Sequence, residues 1–118
     1  MAKSNKMKKL FWISYDLGIN GDYENLYLWL DSNKAKECGT NLARIWLNFI
    51  TDPVKELKQS LLPKVKLRDS DRIYIIWRDV VNGKSRVRGK FIHGTRKPAP
   101  WYGYASSTEE DLDEETID

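Results

Sequence analysis

The stretch RIYIIWRDV, residues 72–80, constrains the fold more than any other part of the chain. It is rich in β-branched and aromatic residues, which favour a strand, and it leads into Asn82-Gly83, a dipeptide typical of two-residue hairpin turns. Residues 85–94 then alternate polar and apolar side chains, and the alternation slips near Ile92. The sequence therefore predicts a β-hairpin whose second strand bulges or ends near Ile92.

The preceding part of the chain alternates strand and helix patterns. Asp22 is a plausible helix N-cap, and the apolar residues that follow it recur with helical spacing. A second helix begins at Asp52-Pro53 and must end before Pro63, because proline cannot continue a helix. The predicted elements are strands at residues 10–17, 35–38 and 42–48 and helices at residues 22–33 and 53–62.

This order of elements predicts an α+β fold. Strand, helix, two strands, helix and strand make the ferredoxin-like split βαβ arrangement, an antiparallel sheet with two helices on one face. The hairpin after residue 81 adds an extra C-terminal strand. The alternative is another small α+β sheet with a different strand order.

Charge divides the chain into segments. Residues 108–118 hold seven acids and no base, which leaves 20 bases against 10 acids in residues 1–107. We expect a basic flexible N-terminus at residues 1–8, the folded domain at 9–105 and a disordered acidic tail at 106–118. A body this basic attracts polyanions. The tail could compete with them for the basic body, or serve only as a solubilising segment.

Cys38 is the only cysteine and His93 the only histidine. An intramolecular disulfide is therefore excluded, Cys38 is expected to be buried, and the lack of a His or Cys cluster argues against a zinc site. No apolar run is long enough to span a membrane. We expect a cytoplasmic protein that needs no membrane.

Several short motifs, in order, resemble a known family. Tyr15-Asp16-Leu17 ends the first strand, Asp22-Tyr23 opens the first helix, Asp71-Arg72 opens the fourth strand, and WYGY follows at residues 101–104. In this order they resemble the SinR-type small ferredoxin-like proteins, which are related to the VapD toxins and to the small CRISPR-associated ribonuclease-like adaptation subunit. The resemblance covers roughly residues 9–104. It implies a homodimer and, at Asp16, the acid that those relatives use in metal-dependent RNA cleavage.

Asp16 therefore has two interpretations. As a catalytic residue it would hold Mg²⁺ or Mn²⁺, with Asp22 as the second metal ligand nearby in sequence, because magnesium sites use one or two carboxylates with water and substrate oxygens. Alternatively, Asp16 accepts hydrogen bonds within the GINGD turn that follows it.

The C-terminal hairpin and its exit carry the predicted nucleic-acid-binding residues. Alternate strand residues share a face, so three of these bases would form a row about 13 Å long. Tyr74, Trp77 or Trp101 could stack on bases, although Trp101 could instead cover the core. The basic row could also be a solvated face that keeps an edge strand from aggregating. The predicted set is Arg78, Lys84, Arg86, Arg88, Lys90, Arg96, Lys97 and Trp101.

The leading hypothesis is thus a small protein that interacts with RNA or DNA, and that could act as a metal-dependent endoribonuclease. In that case His93 would be the only histidine that could serve as a general acid or base; otherwise it is a partly exposed strand residue. The alternative is a non-catalytic accessory protein, of mobile-element or phage type, that uses the same surface on a protein partner.

Overall fold

The computed structural model describes residues 7–105, and the elements follow one another in the predicted order. Residues 1–6 and the predicted acidic tail, 106–118, lie outside the described residues. The elements are β1 (Met7–Asp16), α1 (Tyr23–Ser32), β2 (Lys36–Gly39), β3 (Leu42–Phe49), α2 (Pro53–Leu61), a 3₁₀ turn (Leu62–Lys64), β4 (Arg72–Val81) and β5 (Lys84–His93). Since β1 begins at Met7, residues 7 and 8 belong to the sheet and not to the N-terminal segment.

The five strands form one antiparallel sheet in the order β2-β3-β1-β4-β5. In the centre, Ile13 of β1 lies between Ala43 of β3 and Ile75 of β4. The predicted α+β class is confirmed, and the arrangement is consistent with a ferredoxin-like α+β fold. It differs from the plain four-stranded arrangement by β5, which pairs with the outer side of β4.

One face of the sheet carries the core. Odd-numbered residues of β1, β3 and β4 are buried at the centre of the sheet and pack in one cluster with both helices. The helices contribute Leu26, Trp29 and Leu30 from α1 and Leu57 and Leu61 from α2. The Trp29 indole N–H also donates to Ser60 Oγ at 3.0 Å, which joins the two helices. Both helices therefore lie on the same side of the sheet.

The opposite side of the sheet, here called the open face, has no helix over it in the described part of the chain. Since side chains alternate along a strand, the even-numbered residues of β1, β3 and β4 lie on this face. In β5 the odd-numbered residues from Ser85 to Phe91 join them. Among residues 7–105, the open face is therefore the side of the sheet that neither helix covers.

Side chains fix the start of each helix. The Asp22 carboxylate accepts the backbone N–H of Asn25 at 3.3 Å, so Asp22 is the N-cap of α1 as predicted. Asp52 caps α2, and Glu56 accepts three backbone N–H groups from residues 50–52, which lowers the pKa of Glu56 to about 2. Both helices are short, and across residues 7–105 the structure contains no helix long and apolar enough to cross a membrane.

The β4–β5 hairpin has the predicted turn and the predicted irregularity. Asn82 and Gly83 both have positive φ, 54° and 75°, as a type I′ turn requires. The register shifts between Ile73 and Tyr74, opposite Ile92. Regular alternation along β5 places Phe91 on the open face and Ile92 in the core, where it is 7% exposed. The bulge changes the position of His93, which pairs with Ile73 on the helix side.

Cys38 does not follow the prediction. Its thiol is exposed in β2, at the point where the β2–β3 register shifts. The short β2 strand lies at the sheet edge, and a pattern of four residues does not show which of its side chains turn inward.

An ion pair between half-exposed Arg68 and buried Asp71 joins the strand ends. Asp71 is fully buried and accepts the Arg68 backbone N–H at 2.7 Å and its guanidinium Nη2 at 3.0 Å. The same guanidinium donates to the Leu17 carbonyl just after β1, and His93 Nε2, at the end of β5, hydrogen bonds to the Arg68 carbonyl at 2.8 Å. Burial alone would raise the pKa of Asp71, but the bonds from Arg68 and the charges of Arg68 and His93 lower it below its ordinary value.

We predict that Asp71→Asn destabilises the protein by about 2 kcal/mol at neutral pH, the scale of a hydrogen bond to a charged group. Because the folded-state pKa of Asp71 is lowered, its contribution is present above the ordinary value of 3.8 and is lost as the pH falls below it. Urea unfolding at several pH values should therefore show the gap to wild type narrowing in acid.

The matched control is Asp69→Asn, because Asp69 is exposed in the same loop. Its unfolding free energy should stay close to wild type at every pH. A gap between wild type and Asp71→Asn that does not change with pH would contradict this role of the Asp71 carboxylate.

Candidate nucleic-acid interface

The open face combines aromatic rings with positive charge. Its rings are Trp12 of β1, Trp46 of β3, Tyr74 of β4 and Phe91 of β5. The bases that lie among them on the strands are Lys8, Lys36, Arg44, Arg72 and Arg78. Along these strands the open face has one acid, Asp16. Since every other charge on it is positive, the face is complementary to a polyanion.

Two tryptophans occupy the centre of the open face. Trp12 pairs with Arg44 across the β1–β3 ladder and Leu10 pairs with Trp46, so the two tryptophans are diagonal neighbours on the same face of the sheet. Trp12 is half-buried and Trp46 is 58% exposed. Together with Arg78 they line a cleft of about 300 Å³, here called the Trp cleft. The two indoles are not part of the hydrophobic core, which lies on the other side of the sheet.

A second cleft, of about 250 Å³, lies at the other end of the open face and is called the Asp16 cleft. It is lined by Ser14, Asp16, Arg72, Tyr74, Phe91 and Arg96. Asp16 accepts a hydrogen bond from Arg72 Nη2 at 2.9 Å, and its side chain is 51% exposed. Asp16 therefore lies in a surface cleft and pairs with a guanidinium.

Aromatic rings form part of the lining of the Asp16 cleft. The rings of Tyr74 and Phe91 meet edge to face, with their centroids 4.7 Å apart. The Arg96 guanidinium lies over both rings, 5.7 Å from the centroid of Tyr74 and 5.4 Å from that of Phe91. Cation–π contacts of this kind hold the planar guanidinium in place while its N–H groups stay available.

Two glycines permit this arrangement. A Cβ at Gly89 would overlap the ring of Tyr74, so the lack of a side chain lets that ring lie across β5. Gly94 has φ +81°, and a Cβ there would overlap the Asp71 carbonyl and the side chain of Arg72. The chain can therefore turn tightly after β5 and bring Arg96 back over the open face.

The predicted basic residues do not form one surface. Arg86, Arg88 and Lys90 share a face, as predicted, but their partners on β4 are Asp79, Trp77 and Ile75, which lie on the helix side. Lys84 joins this row opposite Val81. Arg88 forms an ion pair with Asp79 at 3.5 Å. The row therefore lies on the side of β5 opposite the open face, whereas Arg78 and Arg96 belong to the open face.

The predicted aromatic contacts are partly wrong. Trp77 is buried and packs against Phe11, with ring centroids 6.1 Å apart, so it cannot stack on a base. Trp101 is 73% exposed in the turn of residues 100–105 and does not cover the core. Lys97 is exposed in the segment before that turn. Tyr74 is the predicted stacking residue that reaches the open face.

Asp16 and Asp22 have separate partners. Both Asp22 oxygens are used at the start of α1, where they accept from Asn25 and from the Lys66 backbone N–H at 2.8 Å, and these bonds lower the pKa of Asp22. Asp22 does not line the Asp16 cleft. Within residues 7–105, no three His, Cys, Asp or Glu side chains form a group that could hold a metal ion. The alternative role for Asp16 also changes, because its hydrogen-bond partner is Arg72 and not the GINGD turn.

Sequence reasoning missed Trp12, Trp46, Arg44 and Arg72 as site residues. Their signal is the alternation within residues 10–16 and 42–48, where Trp12 and Trp46 fall at positions of opposite parity to the core residues. Because both strands are aromatic-rich and apolar throughout, hydrophobicity alone does not reveal which parity faces water.

Comparison with family models, with curated proteins and with solved structures yields no match to this chain. The resemblance to the SinR-type proteins therefore stays a prediction.

Proposed function

We propose that this protein binds single-stranded RNA or DNA across its open face. The observation that carries the proposal is the pair of tryptophans, Trp12 and Trp46, on two adjacent central strands of a sheet face with a single acid. A base stacked on an aromatic ring contributes about 1–3 kcal/mol, and any base can stack because each has a flat π-face. Sheets that recognise RNA in this way use rings on their exposed face.

Charge supports the same partner. Lys8, Arg44 and Arg78 lie beside the two indoles and can contact the phosphates of a strand whose bases stack there. Duplex bases are already stacked on one another, so a flat aromatic face favours an unpaired strand. The basic row on the other side of β5 adds positive potential and steers polyanions toward the protein.

A protein partner is the competing occupant of the open face. A second copy that used the same face would bring two basic surfaces together, which costs free energy unless an anion lies between them. An acidic protein remains the non-catalytic alternative. It would need no unpaired base, so competition by single strands separates it from the proposal.

Metal-dependent RNA cleavage is the second candidate function. It is favoured by the exposure of the Asp16 carboxylate in a cleft that also holds Arg72 and Arg96, two groups that can bind a phosphate. One carboxylate from this chain, with water and substrate oxygens, meets the smallest requirement of Mg²⁺ or Mn²⁺. A homodimer that brought two Asp16 side chains together would supply a second carboxylate.

We predict that Trp12→Ala and Trp46→Ala each weaken binding of a short single-stranded oligonucleotide by about tenfold or more, since each removes a stacking surface. Fluorescence anisotropy with labelled RNA and DNA strands measures the effect. Leu28→Ala, an exposed apolar residue on α1, is the matched control and should bind as wild type does. Equal affinity of wild type and both tryptophan variants would contradict the proposal.

For cleavage, the expectation is that wild type degrades RNA in Mg²⁺ or Mn²⁺ and that Asp16→Ala does not. Denaturing gels of end-labelled RNA, with and without chelator, measure this. Asp79→Ala serves as the control because Asp79 is another strand carboxylate on the helix side of the sheet. Cleavage that persists in Asp16→Ala, or is absent from wild type, would remove the nuclease candidate and leave the binding proposal standing.

A further inference from the structure

The single acid of the open face needs an explanation if that face binds nucleic acid. A carboxylate repels phosphate, yet Asp16 lies half-exposed in a cleft with an aromatic wall. We infer that the Asp16 cleft binds a guanine base of a single strand, with Asp16 and Arg72 in contact with its Watson–Crick edge. This inference rests on the proposed function and adds base selectivity to it.

The size and the walls of the cleft suit one base. Its volume of about 250 Å³ is below the roughly 300–1,000 Å³ of pockets for drug-sized ligands, which favours a single flat ring system. Tyr74 and Phe91 supply aromatic surface, and the Arg96 guanidinium offers a planar cation for stacking. A base in this cleft can therefore stack on a ring or on the guanidinium and form hydrogen bonds with Asp16.

The hydrogen-bonding pattern of Asp16 selects the base. An ionised carboxylate only accepts, through two adjacent oxygens. Guanine presents two adjacent donors, N1–H and N2–H₂, on its Watson–Crick edge. Adenine and cytosine present one donor beside a ring-nitrogen acceptor, and uracil presents one N–H between two carbonyls. Guanine is thus the one standard base that can satisfy both carboxylate oxygens at once.

Arg72 completes the match. Its Nη2 lies 2.9 Å from Asp16, so a donor stands beside the two acceptors, and guanine carries the acceptor O6 next to N1–H. Arg72 Nε is buried and has no hydrogen-bond partner within residues 7–105. The Asp16 carboxylate has lone pairs enough to keep its bond to Arg72 while it accepts from the base. Arg72 can therefore donate to O6 of guanine, while the two Asp16 oxygens accept from N1–H and N2–H₂.

The test compares short oligoadenylates that differ at one central position, with chelator present so that no metal ion contributes. Replacing that adenine by guanine should tighten binding to wild type by about tenfold, the scale of a good bidentate base contact. Inosine, which lacks the N2 amine, should lose a large part of that gain. Asp16→Asn should abolish the preference for guanine, because an amide presents one donor and one acceptor.

Asp79→Asn, on the helix side of the sheet, is the matched control and should keep the preference. Because the inosine comparison uses wild-type protein alone, the test stands even if Asp16→Asn fails to fold. Binding that is equal for adenine, guanine and inosine would overturn this inference and leave the proposed function intact. Absence of binding to every oligonucleotide would overturn both.

Discussion

The ion pair of Arg68 and Asp71 holds together the end of the sheet on which the Asp16 cleft depends. It joins the chain after β1, through the Leu17 carbonyl, to the last residue of β5, through His93. Burying a carboxylate is costly unless hydrogen bonds satisfy it, and here a backbone N–H and a guanidinium do so. Since Asp71 directly precedes Arg72, the pair also fixes where β4 begins and thus where Arg72 meets Asp16.

Both helices lie on one side of the sheet, so the composition of the other side is not explained by packing of the core. Both helices cover the side of the sheet that carries the odd-numbered residues of β1, β3 and β4. The even-numbered residues of these strands lie on the opposite side, away from the core. The core lies on the other side of the sheet, so it does not require large rings there. The open face instead carries Trp12, Trp46 and Tyr74 among positive charges. Exposed rings interspersed with bases are the composition that single-stranded nucleic-acid binders use, and this is why binding is preferred over a purely structural explanation.

Local chemistry made much of the fold predictable. Asn82-Gly83 required a type I′ turn, Asp22 capped α1, and the slip of alternation near Ile92 marked a true bulge. Each of these features depends on neighbours in sequence. The α+β class followed from the order of such local patterns.

The side of the sheet on which each site residue lies depends on long-range strand pairing, which local sequence patterns do not determine. That Arg86, Arg88 and Lys90 share a face was predictable, but the side they lie on depends on their register with β4. Trp77 and Trp12 both stand in apolar strands, yet one is core and the other lies on the open face. Asp16 and Asp22 are close in sequence but lie in different layers of the fold, because Asp22 caps helix α1 and Asp16 lies on the open face of the sheet.

The five tryptophans provide the most direct test of where nucleic acid binds. Trp12 and Trp46 lie on the open face, Trp29 and Trp77 are buried in the core, and Trp101 lies in the turn after β5. Five indole N–H signals in a ¹⁵N-edited NMR spectrum can be followed as a single-stranded oligonucleotide is added. We predict that the Trp12 and Trp46 signals shift as oligonucleotide is added and stop shifting once the protein is saturated. The signals of Trp29 and Trp77 should stay in place. Shifts confined to Trp101, or no shift at all, would contradict binding at the open face.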